Sequence, residues 1–247
     1  MNAVTGSVQR WSNAALALLY PEACQLCGVA RATPEECFLC ADCRKVARFI
    51  EPPFCERCGL PAEGAITTRY ECSNCQDIDW QFRSARSAVV AGEKVLELIH
   101  RYKYQRALWF EPFLAELLIA QAKPELSKEP WTWIVPIPLY PARKREREFN
   151  QAERLSDRLS GAIGVPVNRD LLKRVLPTRT QTKLTRQQRL INVRNAFAVK
   201  RGTQLQGEKI VLVDDVLTTG ATSNACARVL RAAGAGEVCV WTVARGI

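Results

Sequence analysis

Eight of the eleven cysteines in this 247-residue chain fall into four Cys-x-x-Cys pairs, all of them before residue 76. They are Cys24/Cys27, Cys40/Cys43, Cys55/Cys58 and Cys72/Cys75. A tight knuckle can turn two thiolates with this spacing onto one ion, and two knuckles complete a tetrahedral zinc site of four cysteines. The knuckles of the two halves are 12 and 13 residues apart, nearly equal, which reads as two tandem zinc ribbons. Loops this short cannot bury a core, so metal binding has to supply the folding energy. Cysteine fills every ligand position, leaving no open coordination site; the expected role is structural, or the presentation of a surface. An interleaved pairing is also compatible with the spacing, and Cys37 is a spare thiol close to Cys40.

A secreted disulfide framework would need a leader, and none is convincing here. Ala14 to Tyr20 is apolar but short, runs into Pro21 and lacks a small-residue cleavage site; it reads as a short helix packing on its own protein. No run approaches the roughly 20 apolar residues of a membrane span. A cytoplasmic protein with reduced, metal-binding thiols is expected. The composition changes near residue 80, suggesting an N-terminal helix (1–20), a double zinc ribbon (21–80) and an α/β domain (81–247).

Charge is unevenly placed. The chain carries +10 overall, but residues 1–80 hold 7 basic and 10 acidic side chains, whereas 81–247 hold 28 and 15. The segment 143–201 alone has 16 basic and 5 acidic residues. Such a field favours polyanions, whether phosphorylated sugars, pyrophosphate or nucleic acid, although a solvated basic face has the same signature.

Past residue 82, strand and helix patterns alternate, as expected for a mostly parallel sheet flanked by helices. Ala85–Ala91 reads as a strand, Glu93–Tyr104 and Glu111–Ala122 as helices, the second closed by Lys123-Pro124. The tail His100-Arg-Tyr-Lys-Tyr104 could stack a base and hold phosphate, or simply end an amphipathic helix. His100 is the only histidine, so no His-dependent triad exists elsewhere. Trp133 to Pro138 reads as a buried strand running into a rigid loop, followed by the arginine-rich Leu139–Gln151 and a helix from about Ala152 to Gly161. Cys226 and Cys239 fall within a helix and a strand and read as packing residues.

The stretch Lys209 to Ser223 commits the chain to a chemistry. Ile210 to Val213 reads as a buried parallel strand ending at the carboxylate pair Asp214 and Asp215. Thr218, Thr219, Gly220, Ala221 and Thr222 then form a small hydroxyl-rich turn opening a helix over Ser223–Ala233. Backbone N–H groups and positive dipole at a helix start favour a phosphate, and Gly220 allows backbone to approach it closely. The carboxylates can accept from sugar hydroxyls or hold a divalent metal. Together these point to a ribose 5-phosphate bearing a further diphosphate.

This segment resembles the phosphoribosyl pyrophosphate (PRPP) signature of type I phosphoribosyltransferases. With the cysteine-rich front half, the whole chain is similar to the ComF/GntX family. The resemblance extends to the proline-rich strand, the arginine loop and Arg147-Glu148-Phe149-Asn150-Gln151, where Glu148 replaces the family's usual glycine. It continues through Thr180, Gln181, Leu184, Arg189, Asn192 and Ala196-Phe197. It implies a type I phosphoribosyltransferase fold, with Mg2+ accompanying PRPP. Asp214 and Asp215 would take the ribose hydroxyls, Thr218–Thr222 the 5-phosphate, and Arg143, Arg145 and Arg147 the pyrophosphate. Gln181, Lys183, Arg186 and Arg189 would belong to a flexible loop that closes over the polyanion.

Relatives acting on purines usually carry a carboxylate where Thr218 stands, and threonine cannot take a proton at neutral pH. The last strand runs almost to Ile247, so an acceptor pocket is expected from residues 82–132 or the metal module. The resemblance implies a role in DNA uptake or use of DNA as nutrient. Single-stranded DNA is an expected partner, met by the basic belt with Tyr102, Tyr104, Trp109 and Phe149, and other DNA-uptake proteins are possible partners. An active transferase moving the phosphoribosyl group to a non-purine acceptor is the alternative.

Overall fold

In each half of the cysteine-rich region, the sequence Cys-x-x-Cys-Gly dictates the same turn. Gly28 and Gly59 lie at φ +71° and +65°, and their N–H groups each donate to the first cysteine's carbonyl (Cys24 and Cys55), both at 2.8 Å. Glycine reaches this left-handed region without a Cβ penalty. The second knuckle of each half opens a one-turn helix, α1 (Ala41–Arg44) and α2 (Ser73–Gln76). The computed structural model describes residues 22–64, 66, 70–177, 193 and 195–247. The apolar segment Ala14–Tyr20 and the loop residues Gln181, Lys183, Arg186 and Arg189 lie outside these.

The chain divides into two compact units, Met1–Val46 and Ala47–Ile247. The second knuckle pair shares its compact unit with the sheet.

After α2 the large unit runs β1 (Ser84–Val90), α3 (Glu93–Tyr104), a 3-10 turn (Leu108–Phe110), α4 (Glu111–Leu126), β2 (Trp133–Pro136), α5 (Pro141–Arg147) and α6 (Gln151–Ile163). It continues with β3 (Leu172–Arg174), β4 (Phe197–Val199), β5 (Lys209–Leu217), α7 (Ala221–Ala232) and β6 (Glu237–Arg245). β1, β6, β5 and β2 form, in that order, an all-parallel sheet, while β3 and β4 pair antiparallel beside it. This is the parallel sheet with flanking helices that the sequence predicts.

Parallel strands covered on both faces read as continuous apolar runs, and Ile210 to Val213 are wholly buried. Alternation splits them. Ile210 and Leu212 join Val238 and Val240 in one core cluster with Ala221, Ala225, Cys226 and Leu230 of α7 and Phe197 of β4. α4 and α6 pack on each other and on the sheet, α4 on β1 and β6, α6 on β2 and β5. At that helix interface the buried Glu111 takes ion pairs from Arg154 and Arg158. Cys226 and Cys239 are buried, as the packing reading requires.

Two boundaries differ from expectation. α4 does not stop at Ala122 but carries Pro124 in its last turn, because Ala122 and Leu126 both bury their side chains. The arginine stretch is not a loop: Pro141 sits in the first turn, where its missing N–H costs nothing, and a helix runs to Arg147. Among the described residues no helix is long and apolar enough to cross a membrane.

Candidate functional site

β5 delivers its two carboxylates to a cleft of about 790 Å3 at the C-terminal end of the sheet. In an open α/β fold this is where ligands sit. Asp214 accepts a hydrogen bond from the Asp215 backbone N–H (2.9 Å), and Asp215 is ion-paired with Lys103 of α3 at 2.7 Å. Burial, and then the neighbouring Asp215 carboxylate, push Asp214 up to about 7 although Lys103 pulls the other way. Lys103 brings one positive charge to two neighbouring carboxylates, so a divalent cation would offset the remainder and hydroxyl donors would satisfy their oxygens. Two neighbouring carboxylates offer oxygen donors of the kind a hard divalent cation such as magnesium takes.

Thr218, Thr219, Gly220, Ala221, Thr222 and Ser223 line the same cleft, with α7 opening at Ala221. Gly220 has φ +76°, and a Cβ on it would meet the Trp80 ring at 2.8 Å. Its glycine is therefore demanded by the turn and by the aromatic ring behind it, in addition to the close approach of an anion that the sequence suggests.

The helical form of the arginine stretch sorts its side chains. Arg143 and Arg147, four residues apart on one face, line the cleft; Arg145 is not among its lining residues. Arg147 is buried, donates to Gln151 (3.0 Å) and to the Tyr104 hydroxyl (2.9 Å), and lies over the Tyr104 ring. Glu148 ends α5 at φ +67°, the left-handed position that a glycine fills without strain. Its carboxylate pairs outward with Arg106 at 2.7 Å and is absent from the cleft lining, so it does not oppose an anion there. Arg174 of β3 adds a third arginine to the cleft.

α3 forms the remaining wall through Glu93, Glu97, His100, Lys103 and Tyr104. The basic–aromatic tail ends this helix and turns part of itself to the cleft. His100, Lys103 and Tyr104 face the cleft, whereas Tyr102 is fully buried, its ring tilted against Phe149 with centroids 5.2 Å apart. Tyr102 is therefore core and not a stacking platform, while Tyr104 and Trp109 remain exposed.

The cysteines gather as Cys24, Cys27, Cys40 and Cys43, and as Cys55, Cys58, Cys72 and Cys75. The pairing is sequential, and Cys37 stands outside both clusters. Sulfur–sulfur distances of 3.7 Å (Cys58–Cys72, Cys72–Cys75), 3.8 Å (Cys55–Cys75) and 4.0 Å (Cys27–Cys40) match the edge of about 3.8 Å of a tetrahedron with zinc–sulfur bonds of about 2.3 Å. Both clusters are consistent with structural zinc. The Cys58 thiol is drawn down to about 6, first by a hydrogen bond with Cys55 and then by Arg245, against its burial.

Sequence reasoning missed Arg245, Arg174 and Trp80, and did not assign Lys103. Arg245 ends a strand that is buried from Val238 onward, a place where a charge is retained only with partners. Lys103 follows His100 at helical spacing, so one cleft-facing residue pointed to the other.

Among known proteins, residues 15–77 match the double zinc ribbon domain. Over 216 residues the chain is 34% identical to competence protein F of Haemophilus influenzae, covering 84% of this chain and 90% of that protein. The chain belongs to the ComF/YhgH family. A second ComF/YhgH relative, the DNA utilization protein YhgH of Escherichia coli K12, is 31% identical over 235 residues, 92% of this chain and 99% of that one. Among solved structures, adenine phosphoribosyl transferase from Trypanosoma brucei overlaps 59% of this chain and 68% of its own, with 14% identity and a TM-score of 0.36.

Proposed function

We propose that the cleft binds PRPP or a related ribose phosphate. The observation that carries this is the convergence on one cleft of the Asp214/Asp215 pair, the Thr218–Thr222 turn at the start of α7, and Arg143, Arg147 and Arg174. Ribose hydroxyls meet the carboxylates, the 5-phosphate meets the turn, and the diphosphate meets the arginines. Arg145 contributes only long-range charge. Magnesium would be held by Asp214 and Asp215, directly or through hydroxyls, and would neutralise the diphosphate.

The two named relatives are a competence protein and a DNA utilization protein. Their names, with the basic segment 143–201, support a cytoplasmic role in DNA uptake or in use of DNA as nutrient. In this role exposed Tyr104 and Trp109 stack single-stranded DNA beside the arginines. Other DNA-uptake proteins are the partners such a role calls for. The loop holding Gln181, Lys183, Arg186 and Arg189 brings further positive charge to the polyanion.

A second reading has its own support. Glu97 and His100 line the same cleft as the carboxylate pair, and groups that can move protons suit a transferase passing the phosphoribosyl group to a non-purine acceptor. That reaction needs no protein nucleophile. It needs the diphosphate's charge met and water excluded.

The test is thermal protection by PRPP with magnesium, repeated on Asp214→Ala/Asp215→Ala. Protection that disappears in the double variant supports the site; protection retained there counts against it. Single-stranded DNA that displaces PRPP places both on one surface. Pyrophosphate release with a panel of bases and amines would favour the transferase.

A further inference from the structure

The phosphate turn is held from behind by the second four-cysteine cluster. Arg245 is buried, and its guanidinium joins the two. Nε donates to the Cys58 carbonyl (3.1 Å) and Nη2 approaches Cys58 Sγ (3.5 Å), while Nη1 donates to the carbonyls of Leu217 (3.1 Å) and Thr218 (2.6 Å). A guanidinium is a rigid planar fork, so a displacement of Cys58 passes directly to the turn.

Two further links run in parallel. Trp80 Nε1 donates to the Cys75 carbonyl (3.2 Å), and the same ring fills the space behind Gly220. Asn224, in the first turn of α7, accepts from the Gln81 backbone N–H (2.7 Å) and donates to the Asp79 carbonyl (3.1 Å). Each link starts at a ligand cysteine or in the segment directly after the cluster, and ends on the turn or the start of α7.

We infer that Arg245 is a positioning residue through which metal at Cys55, Cys58, Cys72 and Cys75 and a phosphate at the turn tighten each other's binding. The inference rests on reading the turn as a phosphate site. The four thiols need an ion to hold them at tetrahedral spacing, and without it Cys58 and Cys75 lose their fixed places and the turn loses its backing. Linkage then requires that the phosphate ligand raise metal affinity by the same factor by which the metal raises ligand affinity. The first cluster belongs to the other compact unit.

The experiment uses the full chain loaded with zinc, competed at equilibrium against a chromogenic chelator with and without saturating ribose 5-phosphate. Ribose 5-phosphate binding is measured separately by calorimetry. In the unaltered protein, the expected result is that one zinc of two gains affinity about tenfold, within the usual range of site coupling, while the other does not change. Arg245→Lys keeps the charge but cannot reach both Cys58 and Thr218. It should retain two zinc ions and ligand binding, yet lose most of that gain. Cys24→Ser should keep the full gain on its remaining zinc.

Ligand that binds without changing either zinc affinity overturns the coupling and leaves the phosphate site standing. An equal gain in Arg245→Lys also overturns it, since general stabilisation of the fold would then explain the effect. No ribose 5-phosphate binding in the unaltered protein overturns the phosphate reading and the coupling together.

Discussion

The two four-cysteine clusters share a motif, a turn and a ligand set, yet stand in different surroundings. The first belongs to the Met1–Val46 unit and leaves Cys27 exposed. The second has all four cysteines buried, packs against Leu60, Tyr70 and Trp80, and receives Arg245 from the end of β6. One cluster closes a small unit of its own; the other is part of the frame around the cleft. A repeated sequence motif thus says what metal each half can hold, and the neighbours decide what the metal supports.

The strongest way to break this contrast is to remove one ligand from each cluster. Cys58→Ser should lower zinc content from about two per chain to one, destabilise the large unit by several kcal/mol and weaken PRPP binding at least about tenfold. Cys24→Ser should lose one zinc as well, with PRPP affinity within about twofold of the parent. Elemental analysis with calorimetry checks both, and equal losses of affinity would erase the distinction.

Gly220→Ala sharpens it from the other side. The added methyl meets Trp80 and sits at φ +76°, so a destabilisation of about 2–3 kcal/mol is expected in urea unfolding. Trp80→Leu in the same background should recover part of it if the ring is the cause.

Within the cleft, pH separates support from site. Asp214 titrates at about 7 when folded, above its usual value of 3.8, so the folded state binds the extra proton between these limits. Ligand-free stability therefore falls as pH rises from about 4 to about 7. Asp214→Asn should flatten that slope and be the more stable protein at pH 8, by on the order of 1–3 kcal/mol. Binding to the charged carboxylate runs the opposite way, so PRPP affinity in the unaltered protein should rise through pH 7.

The smallest effect belongs to Glu148→Gly. Relief of the left-handed strain outweighs the exposed pair with Arg106, giving a net gain of about 0.5–1 kcal/mol in urea. PRPP affinity should not change, because Glu148 does not line the cleft.

Much of this was legible from residue order alone. Buried parallel strands announce themselves as apolar runs, which made Ile210–Val213 and the following carboxylates readable, and Glu93–Tyr104 has the helical bounds its periodicity predicts. Among cleft residues arriving from distant segments, Arg143 and Arg147 were readable and others were not. Arg174 sits on a three-residue strand, Lys103 looked like a helix-end charge, and Arg245 carries no local motif. The arginine stretch was read as a loop because its polar pattern hides a short helix started by Pro141. The packing of the second cluster in the same compact unit as the sheet was hidden too, since nothing in two ribbons of nearly equal spacing distinguishes their neighbours.

The central claim is that one cleft holds the whole ribosyl phosphate. A crystal soaked with PRPP and Mg2+ tests it directly. The expected density has the 5-phosphate at Thr218–Thr222, the ribose hydroxyls on Asp214 and Asp215, and the diphosphate between Arg143, Arg147 and Arg174. Density for PRPP elsewhere on the basic surface, with the Thr218–Thr222 turn empty at saturating ligand, would contradict it.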